Sequence, residues 1–554
     1  MKTLLALMLA AGAALVYCAQ PVELPVFTDI TKDSGIAFKH GYGDHHLDNI
    51  VEGTGAGVCV FDFDNDGLPD IYFVTGTWTQ GVSSNEGRDL RGKFSNRLYK
   101  NLGNGKFVDV TEKAGVGGKG IFSSGCSAAD YDNDGFVDLY VLNYGRNILY
   151  HNNGDGTFTD VTEKAGMTNN RWSLSTVWLD YNNDGWLDAY VCNYLQYDEG
   201  KFRDFYAADG YPGPLSYNGQ PNILYRNNGD GTFTDVTKEA GLWKPGGRCM
   251  SASAADFSNH GLMDIWASND AMESYYFQNT GKGTFVEKAL EMNVAYGENG
   301  QGVSSMGPFP GDVNRDGLLD VFVPNLNYCI LFMNHGKDGF VDRTRQAGLS
   351  QVMGQYVGWA GILFDYDNDG WLDIFTTHGD AHHEYVQEDT LMRNRGDGTF
   401  EDVSRRSGPY FFEKYVGRGA AWGDLDNDGD VDLVLAHLND SPRILRNDGG
   451  NRNHWLSVEP RLKFPTGSRL AIGARVTVTT GSLKQIEDVN PVRGFLSTGD
   501  GRVHFGLAQA DSAAVEIRWP DGKVERYPHV KANQFLQYAH AATAAAPRAN
   551  GVKQ

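Results

Sequence analysis

After Val16 the chain contains no segment long and apolar enough to span a bilayer. A basic surface is missing as well. The 48 Lys+Arg stand against 70 Asp+Glu, a formal net charge of −22, and no basic stripe offers a footprint for phosphates, which argues against nucleic acid as a partner. Gly-x-Ser-x-Gly, a P-loop and a Cys-x-x-Cys pair are all absent, so hydrolase, nucleotide-binding and zinc-ribbon readings lack their motifs. Cysteine is scarce. Beyond Cys18, the thiols at Cys59, Cys126, Cys192, Cys249 and Cys329 are scattered and odd in number. They read as buried free thiols, with one disulfide as the alternative.

What the chain has in abundance is an aspartate-rich loop. Its cleanest copy is Asp62-Phe-Asp64-Asn-Asp66-Gly67-Leu-Pro-Asp70, and further copies begin at Asp130, Asp180, Asp256, Asp312, Asp365 and Asp424, a period of about 60 residues. Oxygen-bearing side chains at positions 1, 3, 5 and 9, with glycine at 6 for the sharp turn, resemble the oxygen cage of an EF-hand calcium loop. Asp-Asn-Asp-Gly alone would make a tight turn. A turn, however, needs only the Asn-Gly portion, and six copies keep all four oxygen ligands. The expected Ca2+ ligands are Asp62, Asp64, Asp66 and Asp70 in the first loop, and Asp130, Asp132, Asp134 and Asp138 in the second. The third and fifth use Asp180, Asn182, Asp184 and Asp188, and Asp312, Asn314, Asp316 and Asp320. The sixth and seventh offer Asp365, Asp367, Asp369 and Asp373, and Asp424, Asp426, Asp428 and Asp432. In each, the backbone carbonyl of position 7 would complete the cage. The fourth copy, with Ser258 and His260 in place of two carboxylates, is expected to keep its turn and to bind calcium weakly or not at all.

A second repeated element follows each loop. It reads Asn147-Ile-Leu-Tyr-His-Asn-Asn-Gly-Asp-Gly-Thr-Phe158-Thr-Asp-Val-Thr162, with near copies at Asn96 and Asn222. Each unit parses into four short strands, which predicts an all-β, seven-bladed β-propeller. The last unit lacks its Phe-x-Asp-Val-Thr strand after Arg443-Ile-Leu-Arg-Asn447, and the missing strand stands at the other end of the array as Phe27-Thr-Asp-Ile-Thr31. The propeller is therefore expected over 20–452, closed by that N-terminal strand.

Residues 1–19 read as a secretory signal peptide, one lysine followed by about a dozen apolar residues. Lipidation at Cys18 is the alternative, disfavoured by Tyr17 where a small residue is expected. From 453 to 540 the strand and turn signals change character and predict one small sandwich-like β domain. Residues 541–554 read as a disordered tail, the alanine-rich character beginning at Ala539.

These features resemble known families. The aspartate loops look like FG-GAP/VCBS repeats of the integrin α-subunit propeller. Asn453-His-Trp-Leu, Ile472-Gly-Ala-Arg-Val, His504-Phe-Gly-Leu and Arg518-Trp-Pro-Asp-Gly look like an ASPIC/UnbV domain. The pairing is similar to the cartilage acidic protein 1 family. The resemblance implies a secreted, calcium-binding, adhesion-like or scaffold protein and no defined reaction. Phe495-Leu-Ser-Thr-Gly departs from the family pattern in lacking a glutamine after its serine.

Propeller connectivity would place the aspartate loops on one face and the variable connections on the other, where a protein or glycan ligand is expected. Five residues after each position-9 aspartate come Thr75, Asn143, Asn193, Asn269, Asn325, His378 and His437. These either cap strand ends or form a polar ring, in which His378 and His437 with His40, His382 or His383 would hold a transition metal. Arg395-Gly396-Asp397 occupies a repeated turn and reads as a structural hairpin. Two function classes follow. One is a non-catalytic extracellular calcium-binding scaffold. The other is an extracytoplasmic enzyme, polysaccharide lyase-like or a metal-dependent oxidoreductase, with its site on the variable face.

Overall fold

The computed structural model describes residues 23–197 and 210–542. The expected signal peptide with Cys18 lies outside the described residues, as does the tail from residue 543. Seven four-stranded antiparallel sheets account for most of the remainder. Sheet 2 is representative: Ser123–Ala129, Asp138–Asn143, Ile148–Asn152 and Phe158–Asp160 pair in sequence order. Its first strand, Ser-Ser-Gly-Cys-Ser-Ala-Ala, is buried throughout, and small side chains there let neighbouring sheets approach. The second strand is also buried on both faces, which explains an apolar run without alternation.

The first strand of each sheet contacts the first strand of the next, and the seventh, Gly417–Gly423, contacts the first, Val58–Phe61. This cyclic order is consistent with a β-propeller. Closure occurs where the sequence places it. Val26–Asp29 is the outer strand of sheet 7, pairing Phe27 with Asn447, Thr28 with Arg446 and Asp29 with Leu445. In sheet 2 the Leu149 amide donates to Thr162 Oγ1 (2.9 Å), and in sheet 7 Ile444 donates to Thr31 Oγ1 (2.8 Å). The N-terminal threonine thus fills the same structural role as its repeat counterparts.

Cysteine pairing differs from expectation. Cys59–Cys126 and Cys192–Cys249 form disulfides, and Cys329 alone is a buried free thiol among the described residues. Each bridge joins adjacent sheets: Cys59 and Cys126 stand on the first strands of sheets 1 and 2, and Cys192 on the second strand of sheet 3 pairs with Cys249 on the first strand of sheet 4.

The C-terminal domain consists of two four-stranded sheets around one core that includes Leu456, Val476, Phe505, Ile517 and Trp519. Gln534–Ala541 runs parallel to the strand His454–Lys463, and the Ala542 amide donates to the Lys463 carbonyl (3.0 Å). Disorder from Ala539 is thereby corrected: backbone pairing orders this stretch although its side chains are small. From the same domain, residues 491–501 enter the ring of first strands. The Thr498 amide donates to Val58 O (3.1 Å), Cys126 donates to Leu496 O (3.4 Å), and Gly494 donates to Pro308 O (3.3 Å). Phe495, fully buried, packs on Trp359 with ring centroids 5.2 Å apart. The segment that departs from the family pattern is the one that packs against the first strands.

Candidate metal centres on the repeat loops

Each aspartate loop joins the first and second strands of its sheet, and its shape follows from the sequence. Position 1 accepts two backbone amides: Asp66 N to Asp62 Oδ1 (3.2 Å) and Gly67 N to Asp62 Oδ2 (2.8 Å). Position 9 is buried beneath the loop. Asp70 accepts from Phe63 N (3.0 Å) and, across the sheet, from Asn101 N (2.7 Å). Position 6 is glycine at φ 87° in the first loop, and position 4 also lies in the left-handed region, as Asn65 at φ 58°. Asparagine tolerates that conformation, which accounts for its use at position 4 in six loops; the fifth has Arg315 there.

Four loops gather three carboxylates with ligand oxygens within 4.8 Å of one another. These are Asp62, Asp64 and Asp66; Asp130, Asp132 and Asp138; Asp365, Asp367 and Asp373; and Asp424, Asp426 and Asp432. In the third and fifth loops the amide at position 3 turns to position 5 instead: Asn182 donates to Asp184 (3.0 Å) and Asn314 to Asp316 (2.9 Å). Burial, reinforced by neighbouring loop carboxylates, pushes Asp70 up to about 8, Asp130 and Asp424 to about 7, and Asp180 and Asp312 to about 6. Asp138, Asp188, Asp320, Asp365, Asp373 and Asp432 are raised well above the usual carboxylate range for the same reasons. Buried like charges of this kind call for a cation.

One detail tests whether a metal fits. Oδ1 of Asp64, Asp132, Asp367 and Asp426 is buried with no hydrogen-bond partner, and these are the position-3 carboxylates of the four clustered loops. An orphaned anionic oxygen repeated at one register fits a ligand set better than a turn.

The fourth loop is neutralised by protein. Arg518 lies 2.7 Å from Asp256, Arg475 donates to the Asp256 carbonyl (3.0 Å) and to Asn259 (2.7 Å), and His260 Nδ1 is 3.3 Å from the same aspartate. Burial alone would raise Asp256, but these groups hold it well below the usual range.

A further set of residues was not singled out from sequence. An asparagine at or next to the end of each third strand reaches across to the loop of the preceding sheet. Asn152 donates to Phe63 O (2.8 Å), Asn227 to Tyr131 O (2.9 Å), Asn279 to Tyr181 O (2.9 Å) and Asn334 to Phe257 O (2.9 Å). Asn394 and Asn447 continue the series to Val313 and Tyr366, and Asn101 closes it on Leu425 (2.8 Å). The repeated Asn was visible; its role needed the geometry.

The C-terminal domain sits on these loops. Arg469 donates to Asn133 (2.6 Å) and Arg502 to Asn427 (2.6 Å), while His504 Nε2 lies 2.7 Å from Asn368 Oδ1.

Comparison with known proteins agrees with this architecture. The FG-GAP-like repeat profile matches residues 62–141, 130–191, 201–267, 256–323 and 365–435. The chain belongs to the FG-GAP-like repeat family. The ASPIC and UnbV profile matches residues 464–545. Cartilage acidic protein 1 of Homo sapiens is 28% identical over 491 residues, covering 84% of this chain and 69% of that protein. The Mus musculus protein gives 28%, 84% and 71%, and the Xenopus tropicalis protein 28%, 72% and 61%. A solved structure on recognition of non-reducing terminal N-acetylglucosamine by an Agrocybe aegerita lectin covers 70% of this chain and 86% of that one, at 18% identity and a TM-score of 0.40. A likeness at that score decides neither fold nor ligand.

On the face of the FG-GAP-like repeats away from the aspartate loops, Thr75, Asn143, Asn193, Asn269, Asn325, His378 and His437 are all buried. They bond local backbone: Asn193 Nδ2 donates to Pro221 O (2.7 Å), Asn269 to Glu273 O (2.8 Å), and His378 Nδ1 lies 2.9 Å from Glu388 O. His437 Nδ1 is 3.2 Å from Ser441 O, and His383 Nδ1 is 3.3 Å from Asp380. Burial lowers His40 and His378 to about 3 and His437 to about 4. Among the described residues, no group of three metal-ligating side chains includes His40, His378, His382, His383 or His437. The structure does not bring the imidazoles together. Asp397 accepts its hairpin's Thr399 amide (3.0 Å), consistent with a structural turn at Arg395-Gly396-Asp397. This face carries a cavity of about 120 Å³ lined by Thr54, Tyr194, Tyr211, Asp270, Trp359 and His382.

Proposed function

We propose that the chain is an extracytoplasmic, calcium-loaded, seven-bladed propeller with a sandwich-like C-terminal domain, acting as a non-catalytic binding scaffold. The observation that carries the metal reading is the orphaned position-3 oxygen recurring in four loops. When bound, Ca2+ would add positive charge and engage the Oδ1 atoms that have no hydrogen-bond partner. Asp62, Asp64, Asp66 and Asp70 and their equivalents in the other five intact loops would hold it, with position 1 oriented by two backbone amides and position 9 fixed from below. Two disulfides support an oxidising compartment. Among the described residues no helix is long and apolar enough to cross a membrane.

The ligand, a protein or a glycan, would bind the face opposite the loops. There Tyr194, Tyr211 and Trp359 offer aromatic surface beside the Asp270 carboxylate and the Thr54 hydroxyl, in a cavity assembled from several sheets. The dispersed histidines give the enzymatic alternative no metal centre. Elemental analysis of the purified chain after dialysis against calcium tests the first half; six ions are expected, and two or fewer would sink the six-site reading. A glycan and protein array tests the second half. Binding that survives Asp270→Asn and Trp359→Ala would place the ligand elsewhere.

A further inference from the structure

The identity of the residue just before the stitching asparagine differs from sheet to sheet: Lys100, His151, Arg226, Gln278, Met333, Arg393 and Arg446. In sheet 1 Lys100 Nζ contacts Asp64 and lies 2.8 Å from Asp66. In sheet 6 Arg393 lies 2.7 Å from Asp367 and also contacts Asp369. Lysine and arginine there can neutralise carboxylates, but a protonated side chain has no lone pair for a metal. Sheet 2 differs. His151 Nδ1 is 3.2 Å from Asp132 Oδ2 and 3.2 Å from Asp138 Oδ1. The atom is buried and lies within ion-pair distance of both carboxylates. Nitrogen and carboxylate oxygens therefore converge on one point, which a divalent ion could occupy in place of the imidazole proton. Two overlapping groups result, Asp132–Asp134–His151 and Asp130–Asp132–Asp138, and they share Asp132. Asp138 is held in place by the Tyr131 amide (3.1 Å) and the Asn152 amide (2.8 Å), so the site has a fixed floor.

We infer that the second loop is a mixed nitrogen–oxygen centre that takes Zn2+ in preference to calcium, with His151 Nδ1 as the deciding ligand. The inference rests on the reading of the repeat loops as metal sites. Calcium takes oxygen ligands almost exclusively, whereas imidazole nitrogen raises affinity for later divalent metals. His151 with Asp132 and Asp134 offers one nitrogen and two carboxylates, with Asp138 3.2 Å from the same nitrogen, a donor set within the range zinc accepts. The other five intact loops have no such nitrogen and serve as controls within the same chain.

The test uses the full chain. Loaded with Mn2+ and studied by electron spin-echo envelope modulation, the wild type should show coupling to one imidazole nitrogen, and His151→Gln should lose it. Dialysed against Zn2+ in excess Ca2+, the wild type should retain one more Zn2+ per chain than either His151→Gln or His151→Lys. Zinc affinity at that site should fall by more than about tenfold in both variants. His151→Lys reproduces the arrangement of sheet 1 and should fold, so its melting curve in calcium controls for damage. Nitrogen coupling absent from the wild type, or equal zinc retention in all three proteins, would overturn the inference. If the other loops still bind calcium in that case, only the selectivity of loop 2 is wrong. If no loop binds any ion, the metal reading itself fails.

Discussion

At the scale of single residues, the fourth loop shows how a repeat keeps its shape without the carboxylates of its neighbours. Protonated His260 donates from both nitrogens, to Asp256 (3.3 Å) and to the Asn279 carbonyl (3.0 Å), and the aspartate raises its pKa from 6.5 to about 9. A histidine raised in the folded state stabilises fully below its unfolded pKa, and that stability is lost as pH rises through the folded value. Allowing for solvent screening of a partly exposed side chain, the contribution is about 1–2 kcal/mol. His260→Gln should therefore lower the unfolding free energy by about that amount near pH 6, with the difference fading toward pH 9. Denaturant titrations at both pH values measure it, and a difference that persists at high pH would mean the histidine acts by shape alone. The clustering of aspartates in loops 1, 2, 6 and 7 was legible in the sequence, because their spacing on one tight loop brings them together. The stitching asparagines were not. Asn152 and the carbonyl it reaches on Phe63 are 89 residues apart, and no local pattern connects them.

At the scale of elements, the ring closure was readable because a missing strand and a surplus strand shared one motif. The disulfides and the last strand were not. Pairing of Cys59 with Cys126 becomes evident only once repeats are laid side by side, and Gln534–Ala541 owes its order to backbone pairing with Leu456–Lys463. Deleting residues 23–36 removes the outer strand of sheet 7, buried Phe27 and the Thr31 acceptor of Ile444. It also leaves the Arg443–Asp448 edge unpaired and open to other chains. The expected outcome is a lower melting temperature with association visible by light scattering, while removal of residues 543–554 changes neither. A monomeric deletion variant with an unchanged melting curve would show that sheet 7 does not need this strand.

At the scale of the whole molecule, the aspartate loops are both the candidate metal sites and the seat of the C-terminal domain. Arg469, Arg502 and His504 contact position-4 asparagines of loops 2, 7 and 6, and Arg475 and Arg518 neutralise loop 4. On the proposed reading, metal and protein cations share one task, offsetting buried aspartates around the ring. Metal that binds the folded loops and not the unfolded chain stabilises by about 2.7 kcal/mol per site at a hundredfold excess over its Kd. Chelation should withdraw that stabilisation from loops 1, 2, 6 and 7, where an orphaned carboxylate oxygen marks each cluster, and leave loop 4 with its arginines. Hydrogen exchange resolved by mass spectrometry should show the consequence. In excess chelator, protection should fall first in Asp70–Phe73, Asp138–Asn143, Asp373–His378 and Asp432–His437, the strands leaving the clustered loops. Asp264–Asn269 of sheet 4 should keep its protection longest, and the Arg518→Ala variant should lose that advantage. Equal loss in sheet 4 and its neighbours, with metal shown to be removed, would mean the arginines do not substitute for an ion. An unchanged exchange pattern would mean the loops are turns that hold their shape unaided.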